Sequence, residues 1–259
     1  GDLLGAPSFH SVRPMSEFHL ARAYDTVNVW RAGAAAKIEL NRPETMNAWN
    51  RQFGLDLLNA IEQASGDDEV RAVLITGSGR GFSSGADLKD MGMQDLTPEG
   101  RPDVYKVLTE RYHPIITGIR EMPKPVVAGV NGPCVGIGLS LALAADLVVA
   151  RRSAYFLLAF VNIGLVPDGG SSLFVPSRVG ERVGAEQAQE WGLINRAIDD
   201  DAFEDEAAAL LQRLADGPTA SYAGTKRQLN HWLYTRMDEQ LELEARIQQE
   251  MAGSADFVE

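Results

Sequence analysis

Two glycine-containing segments carry the chemistry open to this chain. Residues 80–89 read Arg-Gly-Phe-Ser-Ser-Gly-Ala-Asp-Leu-Lys, and residues 131–142 read Asn-Gly-Pro-Cys-Val-Gly-Ile-Gly-Leu-Ser-Leu-Ala. Each follows a short apolar run, 72–76 or 126–130, that reads as a buried strand, and each opens onto a helical pattern. Two such turns can bring two main-chain N–H groups to one point. A pair of this kind stabilises a carbonyl oxygen that becomes an enolate, because donors fixed in a low-dielectric site meet developing charge without reorganising. One carboxylate, Asp168, lies in the segment Gly-Leu-Val-Pro-Asp-Gly-Gly at 164–170. Burial by Phe160, Ile163 and Leu165 would raise its pKa toward neutrality and improve it as a base. The competing role for Asp168 is the N-cap of a helix starting near Gly170, since aspartate is among the best capping residues.

The elements that must position these groups follow from periodicity. Alternation over 26–30 and 36–40 predicts a hairpin with Ala32-Gly33-Ala34 as its turn. Asn50 reads as the cap of a helix whose apolar residues, Phe53, Leu57, Leu58, Ile61 and Ala64, recur at helical spacing. The run 72–76 is apolar on both faces, which suggests a parallel strand covered by helices on both sides. Residues 91–103 read as a surface loop before a helix over 104–120, and Pro123 and Pro125 frame the next strand. Strand–loop–helix units thus recur and predict an α/β core. From residue 201 the pattern is wholly helical, in segments near 203–214, 218–233 and 237–251.

Composition narrows the partners. The chain has 259 residues and a net charge of -12, from 24 basic and 36 acidic side chains. That balance argues against nucleic acid or an anionic membrane as the main partner. The single cysteine, Cys134, suits a reducing compartment such as the cytoplasm. No Cys/His cluster has metal-ligand spacing, so no metal is implied. The longest apolar run, 135–150, is interrupted by Ser140 and Asp146 and falls short of the ~18–20 residues of a membrane helix. Residues 1–14 lack the features of a secretory signal and read as a leader or tag-like segment.

The paired segments, taken together over about 27–198, resemble the crotonase superfamily, which includes the enoyl-CoA hydratases and isomerases. The resemblance implies an α/β crotonase fold, with repeated ββα units forming a sheet-based spiral core over 15–200. It implies a C-terminal helical region, 201–259, that makes the contacts of a homotrimer or of a hexamer built as a dimer of trimers. The substrate would be an acyl-CoA thioester, with coenzyme A as part of the substrate and no separate cofactor. Ser84-Gly85-Ala86-Asp87-Leu88 places the first enolate-binding N–H at Ala86. The second loop places the other at Ile137, with Gly138 as the one-residue alternative. Arg42, Asn47, Ala48, Asp87, Leu88 and Lys89 fall on segments where the family binds CoA, largely through backbone.

Hydratases of the family carry glutamates at positions that here hold Ser140 and Phe160. Neither side chain titrates near neutral pH, so the usual two-carboxylate hydration is not supported. Some Δ3,Δ2-enoyl-CoA isomerases, and a dehalogenase branch, place an acidic residue at the position of Asp168. A single base suffices to take a proton from C2 and return it at C4. The resemblance therefore implies an isomerase using Asp168, with a hydratase, an acyl-CoA hydrolase-like enzyme or a non-catalytic thioester binder as alternatives. His113 reads as a packed or exposed residue of the 104–120 helix. Between Gly180 and Glu181 the chain lacks a helical segment usual in the family, so a break in the chain is expected there. A further helix would be expected beyond Glu259.

Overall fold

The computed structural model describes residues 17–89, 95–174, 182–254 and 257. The expected leader over 1–14, the break at Gly180–Glu181 and the end at Glu259 lie outside the described residues.

Among the described residues ten strands follow one another: β1 His19–Ala23, β2 Val27–Ala32, β3 Ala35–Leu40, β4 Ala72–Gly77 and β5 Val126–Val130, then β6 Cys134–Val135, β7 Leu147–Arg151, β8 Tyr155–Leu157, β9 Val183–Gly184 and β10 Arg196–Ile198. Seven of them make one sheet in the order β1-β2-β3-β4-β5-β7-β10, while β6, β8 and β9 make a small second sheet. The first three strands are antiparallel, and from β3 onward the large sheet is parallel. The β2–β3 hairpin turns at Gly33, whose φ of +57° lies in the left-handed region that favours glycine.

The period-two pattern sorts β4 between two cores. Val73 and Ile75 join the cluster that holds Phe53, Leu57 and Ile61 of α1 (Arg51–Gly66). Ala72 and Leu74 point to the other face. The sheet is therefore covered on both sides, as the all-apolar run implied. Asn50 caps α1, its side chain accepting the Phe53 N–H at 2.9 Å.

The helix expected over 104–120 is interrupted. It runs as α2 (Val104–Val107), a π-helical turn (Leu108–Tyr112) and α3 (His113–Glu121). A π turn accommodates an extra residue without ending the rod, and apolar periodicity alone does not reveal it. β1 was also absent from the sequence reading, since all five of its residues are exposed and no alternation marks it. Two short helices, α4 (Ile137–Ala144) and α5 (Ser171–Phe174), belong to the site described below, and α6 (Ala185–Glu190) precedes β10.

The C-terminal stretch folds as α7 (Phe203–Asp216), α8 (Thr219–Leu233) and α9 (Met237–Ala252). Phe203, Ala207, Leu211 and Ala215 of α7 cover the second face of the sheet. α9 lies against α2, and its Leu241 and Ala245 enter the main core. No helix among the described residues is long and apolar enough to cross a membrane.

Candidate active site

The two loops are built against each other. Trp49 donates its N–H to the Gly85 carbonyl at 2.8 Å and accepts the Asp87 N–H at 2.9 Å, forming a parallel bridge opposite Ala86. In such a bridge the flanking residues make the bonds, so the N–H of Ala86 is directed away from Trp49. Gly85 has φ +94°, and a β-carbon there would stand 3.2 Å from the Val135 carbonyl oxygen. The second loop pairs with the first through Ser83 N–H to the Pro133 carbonyl at 3.0 Å and Val135 N–H to the Ser83 carbonyl at 2.9 Å.

α4 starts at Ile137, directly after Gly136 at φ +55°. Its first N–H groups have no partner within the helix, and the positive end of the helix dipole adds to them. Among the described residues neither the Ala86 N–H nor the Ile137 N–H has an acceptor. Gly138, the one-residue alternative for the second donor, also has a packing role. A β-carbon there would come within 2.6 Å of Ser83 Cβ, so the missing side chain lets α4 sit directly on the first loop.

Ala86, Ile137 and Asp168 all line one cavity of about 190 Å³, together with Leu88, Phe160 and Tyr112. Trp49 backs this wall, edge-on to Tyr112 with ring centroids 5.0 Å apart. Asp168 is buried, at 5% exposure. Its Oδ2 accepts the Gln248 Nε2–H at 2.8 Å, while its Oδ1 has no hydrogen-bond partner among the described residues. Burial pushes the carboxyl pKa up to about 8; the Gln248 hydrogen bond opposes that rise and the charge of Glu244 adds to it.

The competing role of Asp168, the N-cap, is not taken by its side chain. Glu244 of α9 takes that work, accepting the Gly170 N–H at 2.8 Å, the Ser172 N–H at 3.3 Å and the Ser172 hydroxyl. Asp168 contributes only its main-chain oxygen, which accepts from the Ser171 N–H at 3.1 Å and from the hydroxyls of Ser140 and Ser171, each at 2.8 Å. Its carboxyl is turned instead to Gln248. Gly169 and Gly170, at φ +62° and +79°, supply the bend, and a β-carbon on Gly169 would collide with Ile137 Cδ1 at 2.4 Å.

Arg42, Asn47, Ala48 and Asp87 are occupied within the protein. The Arg42 guanidinium donates to the Ala48 carbonyl at 2.5 Å and pairs with Asp87 at 3.2 Å. Asn47, fully buried and left-handed at φ +56°, accepts the Arg42 N–H and donates to the carbonyls of Ser78 and Gly81. The side chains of Arg42 and Asn47 therefore hold the loop, and what this stretch offers a ligand is mainly backbone. Leu88 is exposed at the cavity, and Lys89, the next residue in sequence, is exposed but does not line it. His113 is packed, and burial lowers its pKa to about 4, so it is neutral at pH 7.

Ser140 is fully buried and Phe160 lines the cavity. Sequence reasoning missed Glu244 and Gln248. Their signal was present: they share the buried stripe of α9 with Leu241, Ala245 and Ala252, and polar residues on such a stripe require partners.

Residues 31–259 match the family model for enoyl-CoA hydratase/isomerase. The chain is 42% identical over 248 residues to a protein of Rhodobacter capsulatus named "Probable enoyl-CoA hydratase", covering 92% of this chain and 93% of that one. It is 36% identical to the 1,2-epoxyphenylacetyl-CoA isomerase of Escherichia coli, over 86% of this chain and 88% of the relative. An enoyl-CoA hydratase structure from Mycobacterium avium subsp. paratuberculosis superposes with a TM-score of 0.80 at 35% identity, covering 92% and 94% of the two chains.

Proposed function

Because the chain belongs to the enoyl-CoA hydratase/isomerase family, whose members act on CoA thioesters, we propose that it is a Δ3,Δ2-enoyl-CoA isomerase with Asp168 as its base. The thioester carbonyl oxygen accepts the Ala86 and Ile137 N–H groups. Asp168 removes a proton from C2 as the C2–H electron pair moves into the enolate. The pair then returns through the conjugated system to C4, which takes the proton back from the Asp168 carboxyl. Charge builds on the thioester oxygen in the transition state, where two preorganised donors lower its energy most.

One observation carries this reading. Asp168 presents a carboxyl at the cavity with one oxygen held by Gln248 and the other unpartnered among the described residues, at a pKa of about 8 suited to accepting and releasing a proton near neutral pH. The E. coli relative, an isomerase by name, supports the same class. Hydration, the reaction in the name of the R. capsulatus relative, requires a group to handle water as well, and Ser140 and Phe160 supply no titratable side chain for it.

Assay with β,γ- and α,β-enoyl-CoAs of several chain lengths tests the proposal. Double-bond migration should exceed hydration for every substrate accepted. Hydration faster than migration, or tight binding with no turnover, overturns it. The same reading includes a homotrimer, or a hexamer as a dimer of trimers. It is supported by Leu229, Trp232 and Leu233 of α8, which stand 49%, 82% and 58% exposed, and sedimentation equilibrium tests it.

A further inference from the structure

α9 reaches the candidate base from far along the chain. Gln248, 1% exposed, makes two bonds of fixed direction: its Oε1 accepts the Val166 N–H at 2.9 Å and its Nε2 donates to Asp168 Oδ2 at 2.8 Å. The Val166 amide can only donate, so the side-chain amide has one orientation, with its NH2 toward the carboxyl. One helical turn earlier, Glu244 holds the Gly170 and Ser172 N–H groups. Residues four apart share one helix face, so these two side chains grip the 166–172 loop on both sides of Asp168.

We infer that Gln248 is a positioning residue for Asp168, fixing Oδ2 as a hydrogen-bond acceptor and leaving Oδ1 as the oxygen that exchanges the proton with substrate. The inference rests on the isomerase reading for the identity of the reaction, but the hold on the carboxyl stands apart from it. α9 is thereby part of the active site. A donor to one carboxyl oxygen does two separable things. It restricts rotation of the carboxyl, which affects the rate at every pH. It also favours the ionised form, which affects the rate only where Asp168 is partly protonated. The charged group that acts on Asp168 beside this bond is Glu244, on the same helix.

The test is Gln248→Met, which keeps length and apolar volume and removes both bonds. Isomerisation of a Δ3-enoyl-CoA is followed as a function of pH, and the Asp168 carboxyl is titrated by infrared difference spectroscopy, with Asp168→Asn identifying its band. The expected result is a fall in kcat of about ten- to a hundred-fold at pH 7, the range for a hydrogen bond to a charged group. KM should change little, and the infrared midpoint should move to higher pH. Part of the rate loss should disappear above the new midpoint and part should remain. An unchanged infrared midpoint in a variant that still binds a saturated acyl-CoA overturns the inference, whatever the enzyme does to enoyl-CoAs. An upward midpoint in a protein whose wild type isomerises nothing would support the hold on Asp168 while removing the isomerase reading. If Gln248→Met fails to fold, Gln248→Asn replaces it. Its amide is one CH2 shorter and draws the NH2 back from Asp168 Oδ2, so the midpoint should again rise, and an unchanged midpoint overturns the inference.

Discussion

Ser140 donates its hydroxyl hydrogen to the main-chain carbonyl of Asp168 at 2.8 Å. The position that holds a glutamate in the hydratases this chain resembles is here a fully buried support for the backbone of the candidate base. α4 thus carries the Ile137 N–H at its first residue and, three residues on, the hydroxyl that anchors Asp168. Ser140→Ala removes that anchor, while the Ser171 N–H and hydroxyl still satisfy the carbonyl. The expected cost is about 1 kcal/mol in urea unfolding. A several-fold fall in kcat with KM retained is expected alongside it, measured by steady-state kinetics.

Asp168 should set opposite pH trends in activity and stability. Its folded pKa of about 8 is above the ordinary aspartate value, so between roughly 4 and 8 the folded state holds a proton that the unfolded chain has lost. The stabilising contribution is full below the unfolded pKa and is lost as pH rises toward 8, by up to about 1.4 kcal/mol per pH unit. The base is the ionised form, so kcat should rise over the same window and level off above about 8. Asp168→Asn should lose roughly 10²–10⁴-fold in kcat. It should also unfold at a higher temperature than wild type, by a margin that widens from pH 5 to pH 8. Near wild-type turnover in this variant would eliminate Asp168 as the base.

Glu244→Gln is expected to act on Asp168 in the direction opposite to loss of the Gln248 bond. The Glu244 charge raises the Asp168 pKa, so neutralising it should shift the rise in kcat to lower pH. A glutamine can accept from one of the Gly170 and Ser172 N–H groups but turns its own NH2 toward the other. Loss of part of a cap costs about 0.5–2 kcal/mol. The two readouts are the midpoint of the kcat profile and the thermal unfolding temperature.

What was legible in the sequence was local. Asn50 announced α1 through side-chain chemistry three residues in reach, and the all-apolar β4 and β5 announced a sheet covered on both faces. Gly85 and Gly136 marked turns, at φ +94° and +55° where side chains are rarely found, whereas the close approach of Gly138 to Ser83 left no sign in the sequence. The capping of the 170–172 turn was not legible, since aspartate in that spot is a good cap and only the folded chain brings Glu244 in as a competitor. Contacts separated by 74 residues (Gly170–Glu244) and 80 (Asp168–Gln248) leave no periodic trace around the loop itself. The exposed edge strand β1 was missed for the complementary reason: with no buried face, it carries no alternation.

Gly138 tests whether the spacing of the two amides matters for catalysis. A β-carbon at this position would meet Ser83 Cβ at 2.6 Å, Ser83 Oγ at 2.7 Å and the Ser83 carbonyl at 3.2 Å. Ser83 cannot yield easily, because its hydroxyl donates to the Asn47 carbonyl at 2.9 Å and accepts the Gly85 N–H at 3.2 Å. Gly138→Ala should therefore push α4 off the first loop and separate the Ile137 N–H from that of Ala86. Overpacking of this kind costs about 1–3 kcal/mol in stability. The rate effect should exceed what that loss explains, with kcat falling by about 10²-fold, the scale for one misplaced oxyanion donor, and KM moving less. Gly224→Ala on α8 is the control, since a β-carbon there meets nothing within 4 Å. It should leave the rate unchanged and add a few tenths to about 1 kcal/mol of stability. Steady-state kinetics and thermal unfolding of the two variants side by side decide the matter: equal kcat in both would mean that the Ala86–Ile137 spacing does not set the rate.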